Sequence, residues 1–184
     1  TVTVIDNQQP VISCPVAVNA DRNAAAGVCT YTALLTEFDA TATDNCAVTS
    51  LTYTLSGATT GTGTTLAGVV FNSGVTTVTW TATDGVTASV NCSFTVTVID
   101  NQQPVISCPV AVNADRNANT GVCTYTAVAD EFDATATDNC GIIVSLTYTL
   151  SGATTGTGTT LAGVVFNSGV TTVTWTATDG VTAS

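Results

Sequence analysis

The chain has 184 residues, 45% of them hydrophobic and 8% charged, with no histidine and only Arg22 and Arg116 set against thirteen acids, a net charge of −11. Nucleic acids and anionic membranes need basic stripes to neutralise phosphate, so neither partner fits this balance. Without His or Lys there is no Ser–His dyad, Schiff-base lysine or Lys–Asn cross-link; acid pairs alone remain for catalysis, and an enzyme is not expected. No apolar run approaches the ~20 residues of a membrane span, and no signal peptide is visible.

In chain order, the first 24 residues, TVTVIDNQQPVISCPVAVNADRNA, return at 95–118, 94 positions later, and the likeness runs on to Ser184. A period of this length is too long for a solenoid repeat and suits one whole all-β domain. The expected organisation is a tail strand of a preceding repeat at 1–5, a first repeat at 6–99, and a second at 100–184. The second ends at the equivalent of Ser89, without a counterpart of Val90 to Ile99. We read this as a window on a longer tandem array. The alternative is a separate subunit whose Thr1–Ile5 strand completes a neighbour's sheet by strand addition.

Within one repeat the segments alternate with period two, as half-buried strands do. The apolar faces run Ile12, Cys14, Val16, Val18; Cys29, Tyr31, Ala33; Leu51, Tyr53, Leu55; Val78, Trp80, Ala82; and Val90, Cys92, Phe94, Val96, Val98. Outward positions are mostly Thr, a β-branched residue suited to a solvated strand surface. Breaks are expected at Asn19–Gly27, Thr36–Asn45, Ser56–Gly63, Asn72–Gly74 and Asp84–Gly85. About seven strands in this order predict an all-β chain of tandem two-sheet sandwiches with an immunoglobulin or fibronectin-III arrangement.

Four stretches sharpen this. They are the entry Asp6, Asn7, Pro10, Ile12, Cys14, Pro15; the turn Ala42–Cys46; the run Phe71–Gly85; and the closing strand Cys92–Val98. Together they resemble the HYR (hyalin repeat) domain, an immunoglobulin-like sandwich, over the whole chain. The Gly- and Thr-rich insert SGATTGTGTT departs from that pattern and predicts a longer, more flexible middle. Tandem HYR modules with four cysteines each resemble the stalks of giant secreted bacterial adhesins, including those of gliding bacteria. The resemblance implies an extracellular spacer that projects a binding tip for adhesion, with neighbouring repeats as partners and no catalysis. A rival reading has each repeat itself grip a glycan or surface, through the insert at Ser56–Thr65.

The seven cysteines are Cys14, Cys29, Cys46 and Cys92, then Cys108, Cys123 and Cys140. Four per repeat in an acidic, Thr-rich chain predict two disulfides per domain and an oxidising compartment; no CxxC pair supports zinc. In a sandwich of the HYR kind the first and last strands would run side by side, which favours Cys14–Cys92, with Cys29 and Cys46 left to each other. The counterparts are Cys123 with Cys140, and Cys108 with a partner beyond this sequence. Cys14–Cys29 with Cys46–Cys92, or a bond from Cys29 to Cys140, stays open.

The candidate ligand set is acidic. Glu37, Asp39 and Asp44 lie in one loop, Asp84 in another, and the linker Asp6–Asn7 enters at the same end of the expected sandwich. The second copy repeats them as Glu131, Asp133, Asp138, Asp179 and Asp100–Asn101. Calcium, with roughly six to eight oxygen ligands, is the candidate cofactor. The competing reading makes Asp44–Asn45 and Asp84–Gly85 turn formers and the other acids solvated. The linker VIDNQQP also resembles a cadherin junction, though the duplicated acidic pairs of cadherins are absent. Trp80 and Trp175 are expected in the core, Arg22 and Arg116 in exposed turns, and Asn91-Cys92-Ser93 fits a glycosylation sequon.

Overall fold

The computed structural model describes residues 1–15, 20–109, 115–141 and 143–179; Val16 and Val18 of the expected first strand lie outside them. The chain is all-β, with no helix among the described residues. It divides into two compact units, Thr1–Asp100 and Asn101–Ser184.

The first unit carries β1 (Val11–Ser13), β2 (Ala20–Asn23), β3 (Thr30–Thr32), β4 (Thr41–Thr43), β5 (Ser50–Gly57), β6 (Gly61–Gly63), β7 (Val70–Asn72), β8 (Gly74–Thr83) and β9 (Val90–Ile99). A five-stranded sheet, ordered β2-β9-β8-β5-β6, forms one layer. Its three long strands are those with the cleanest alternation, and the pairings Tyr53 with Trp80 and Val78 with Phe94 put large side chains opposite one another. Two short antiparallel ladders, β1-β4 and β3-β7, supply the facing layer.

Phe38, Leu66, Phe71, Val78, Trp80 and Val96 are fully enclosed between the layers, with Ile12 and Tyr31 packed against them. Trp80 Nε1 donates to the Phe38 carbonyl at 2.9 Å, so the largest core side chain brings no unsatisfied donor inside. Thr76, also fully buried, accepts from the Thr59 N–H at 3.1 Å, and Thr59 Oγ1 accepts from the Asn72 N–H at 2.8 Å. Two buried hydroxyls thereby tie β7 and β8 to the turn after β5.

Several expected breaks are strands. Asn19–Gly27 holds β2, which runs parallel to β9; its sequence ADRN has no apolar alternation, and its hydrogen-bond ladder comes wholly from the neighbour. Thr36–Asn45 holds β4, the partner of β1. The expected pairing of first and last strands is therefore not the ladder formed: β1 pairs β4, and β2 lies beside β9.

The Gly-rich insert is a closed hairpin rather than a flexible loop. β6 pairs β5 with Tyr53 opposite Gly63, and a Cβ on Gly63 would come within 2.8 Å of Tyr53 Oη. Gly57, at φ +101°, turns the chain from β5 into this hairpin. Gly63→Ala is accordingly expected to cost about 1–3 kcal/mol by overpacking against the ring, read as a lower denaturation midpoint at unchanged slope. An unchanged midpoint would show that the tyrosine is not held over the glycine.

The second unit repeats the pattern with β10 (Val105–Ser107), β11 (Thr124–Thr126), β12 (Thr135–Thr137), β13 (Ser145–Gly152), β14 (Gly156–Gly158), β15 (Val165–Asn167) and β16 (Thr171–Thr178). The ladders β10-β12, β11-β15 and β14-β13-β16 keep the registers of their counterparts. Gly158 again meets Tyr148, and Trp175 Nε1 again donates to a main-chain carbonyl, that of Phe132, at 3.2 Å.

Candidate functional site

The acidic side chains divide by what they already hold. Glu37 accepts from Tyr31 Oη at 2.7 Å, from the Leu34 N–H at 2.6 Å and from Arg22 at 3.2 Å. Arg22 is correspondingly not a free surface group. It projects from β2 with its guanidinium 5.1 Å from the Phe38 ring centre and 5.8 Å from that of Tyr31, a cation–π stack that shelters the ion pair. The second unit repeats the cluster with Arg116, Tyr125 and Glu131, and Arg116 lies 5.0 Å from the Phe132 ring centre. The turn so fastened contains Leu35 at φ +46° and, in the second unit, Ala129 at φ +49°. These are left-handed conformations that a non-glycine residue holds only when neighbouring bonds impose them.

Partial burial opposes the charge of Glu37, but donation from Leu34, Tyr31 and Arg22 outweighs it and holds the carboxyl below its ordinary value of 4.5. A depressed folded-state pKa contributes stability above the unfolded value, and that stability is lost as pH falls through the folded one. Glu37→Gln is thus expected to melt lower than the parent near neutral pH, by about 1–3 kcal/mol. The gap should close on acidification, since protonated glutamate and glutamine are then alike. Melting curves of both proteins against pH read this directly; a gap constant down to about pH 3 would remove the charge from the explanation.

Asp39 accepts from Thr65 Oγ1 at 2.8 Å and the Leu66 N–H at 2.7 Å, and Asp133 does the same with Thr160 and Leu161. Asp84, buried, closes its turn by accepting from Thr87 Oγ1 and the N–H groups of Val86 and Thr87; these donors hold its carboxyl below the usual range. The oxygens of Glu37, Asp39 and Asp84 are thus engaged by hydrogen-bond donors of the fold itself.

What converges is smaller. Asp6, Asp44 and the Cys46 sulfur place ligand atoms within 4.8 Å of one another. Asp44 Oδ1 accepts from the Cys46 and Ala47 N–H groups, while its Oδ2 is buried with no partner. Asp6 accepts from the Gln8 N–H at 3.1 Å, and Asn7 is exposed. Desolvation, then the field of Asp6, a hydrogen bond to it and the charges of Asp44 and Asp84 push the Cys46 thiol up, so the neutral form dominates. Two carboxylates and a neutral thiol fall short of the oxygen set calcium takes. In the second unit Asp138 Oδ1 accepts from the Cys140 N–H at 2.8 Å and its Oδ2 is again without a partner. Asp100 and Asp179 are buried and Asn101 is exposed.

The cysteines carry the covalent chemistry. Cys14, just beyond β1, is bonded to Cys92 on β9 with a Cα–Cα distance of 5.9 Å and a sequence separation of 78. The bond joins the two layers and closes most of the unit into one loop. Cys29 and Cys140 are also in the disulfide state, whereas Cys46, Cys108 and Cys123 are free thiols. Cys29 is therefore not bonded to Cys46, nor Cys123 to Cys140: Cys46 is held in the Asp44 turn with its thiol against Asp6. The covalent pattern suits an oxidising compartment. The sequence could have announced the Arg22–Glu37–Tyr31 cluster only through its recurrence, since separations of nine and six residues match no simple periodicity.

Comparison of this chain with protein-family models, with curated proteins and with solved structures gives no match.

Proposed function

We propose that the chain is a spacer segment of an extracellular filament or stalk, built from immunoglobulin-like modules of the hyalin-repeat kind, that holds an adhesive tip away from its anchoring surface. The observation that carries the reading is how the two units use their polar groups. Glu37, Asp39, Asp84 and both arginines are engaged in fastening turns of their own unit, and the same assignments recur in the second copy for Glu131 and Asp133. A surface repeated for its mechanical sameness needs no ligand chemistry of its own.

The Cys14–Cys92 bond supports the same reading. Under tension the 78-residue separation it spans cannot pay out, so a pulled module could extend only through its terminal segments. The entry segment is fastened as well: Pro10 and Pro104 are buried, and the Gln8 carbonyl lies 3.1 Å from Thr87 Oγ1, whose one hydrogen it shares with Asp84. Localisation outside the cell, spacing and adhesion through a distal tip belong to this proposal.

A second reading, a short subunit that polymerises by strand complementation, draws on one observation. Thr1–Ile5 repeats the second half of β9 letter for letter, yet Val2 and Val4 are 93% and 92% exposed. Mass measurement of native material after full reduction and denaturation separates the two. A single polypeptide of many repeats supports the spacer; subunits of the size of this chain overturn it.

A further inference from the structure

The ladder between β2 and β9 is parallel, while every other ladder among the described residues is antiparallel. Its four pairs run from Ala20 with Val96 to Asn23 with Ile99, and the Ala24 N–H adds a bond to the Ile99 carbonyl at 2.8 Å. Strand direction decides how such a ladder bears tension. When the unit is drawn out by its two ends, β2 is pulled from its N-terminal end and β9 from its C-terminal end. The two strands are then driven past each other along their common axis, and the evenly spaced bonds between them are loaded together. Strands drawn apart from the same end lose their bonds one at a time. β2 is also bolted to the turn between β3 and β4, because Arg22 pairs with Glu37 at 3.2 Å and lies over the Phe38 ring. Upstream of β2 stands Cys14, whose bond to Cys92 leads straight into β9. Both cysteines are half-buried, within reach of a small thiol.

We propose that the first unit is a redox-gated extension element with two stages, a disulfide lock and, behind it, a β2–β9 clamp in shear. With the lock closed, tension passes from β1 through the Cys14–Cys92 bond into β9, and the residues enclosed between the two cysteines, β2 included, carry no load. A dithiol reductant opens the lock. Its first thiolate attacks one sulfur and its second thiol releases the mixed disulfide, so two protein thiols form as the dithiol becomes a disulfide. The load then follows the chain from β1 into β2, and rupture of the β2–β9 ladder frees the enclosed residues. This accounts for a strand of sequence ADRN, without apolar alternation, being held against β9 by an arginine stacked on two aromatic rings. The use of the device rests on the spacer reading. The lock and the clamp themselves are properties of the unit and are measured whatever the length of the native polypeptide.

The test is single-molecule force spectroscopy on the full 184-residue chain, with cysteine-independent handles at Thr1 and Asn101, without and with dithiothreitol. Without it the enclosed residues should stay folded under load. With it the unit should lengthen by roughly 260–280 Å more, which is the 78-residue separation at about 3.3–3.6 Å per residue. The lock should persist in Cys29→Ser with Cys140→Ser, which assigns it to Cys14 and Cys92. In the reduced chain Ala24→Pro removes the donor to Ile99, and Arg22→Met removes the ion pair while keeping an unbranched side chain. Each should speed rupture at a given force by about five- to tenfold. Moving the first handle to Ala26 draws β2 and β9 from the same end, and the rupture force should fall. Release of the enclosed length without reductant would overturn the lock. Equal rupture forces in the two pulling geometries, or rupture rates unmoved by both substitutions, would overturn the clamp.

Discussion

Cys14→Ser with Cys92→Ser is expected to lower the stability of the first unit by about 4–5 kcal/mol, the chain-entropy value for a loop as long as the 78-residue separation of the pair. Against the roughly 5–15 kcal/mol of a typical domain this is a large share, and for a unit of this size it corresponds to a fall in melting temperature of roughly 15–40 °C. The bond's position makes the estimate apply to the whole unit. Cys14 lies just beyond β1 of the facing layer and Cys92 on β9, an interior strand of the five-stranded sheet, so the loop closed contains most of both layers. Following Trp80 fluorescence in a Trp175→Phe background isolates the unit concerned. A double variant that melts within a few degrees of its parent would mean that the unfolded chain gains little freedom from opening the loop. Reduction of the unmutated protein should destabilise at least as much, because Cys29 and Cys140 are disulfide-bonded too.

What could be read from the sequence tracks how each element earns its place. β5, β8 and β9 each bury one face, so burial leaves alternating Leu, Tyr, Val, Trp and Phe that are visible without coordinates. β2, β4 and β6 have no such signature. Their sequences ADRN, TAT and GTG are polar or small, and they are strands because a neighbour offers unpaired backbone groups. The Gly-rich insert reads as flexible until Tyr53 is seen to need a residue without a side chain opposite it.

The uses of the acids were hidden in the sequence for a related reason. Glu37, Asp39 and Asp44 fall close together along the chain, with Asp84 in a separate turn, and all could have faced one end, but a carboxylate is also the strongest acceptor a tight turn can recruit. Counting acids cannot distinguish the two uses; the donors around each can. Arg22 was invisible as a core element because its burial lies in its aromatic neighbours, Tyr31 and Phe38, and not in the polar residues flanking it in sequence.

The same tryptophan in two settings gives the second large effect. Trp80→Ala is expected to cost about 4–6 kcal/mol: roughly 3–5 for the cavity left by a wholly buried ring, and a further share for the Phe38 carbonyl, which loses the donor now 2.9 Å away. The ring also makes an edge contact with Tyr53, centroids 5.3 Å apart, so its removal would release the residue that packs over Gly63. Trp175→Ala removes the same side chain from the same register, opposite Tyr148. There the ring is partly exposed and its bond to the Phe132 carbonyl is 3.2 Å long, so water can refill the space and solvate the carbonyl. About half the cost is expected. Denaturant unfolding of the two variants against the parent, followed by far-UV circular dichroism, measures the difference. Equal losses would mean that the difference in burial between the two rings does not set the cost.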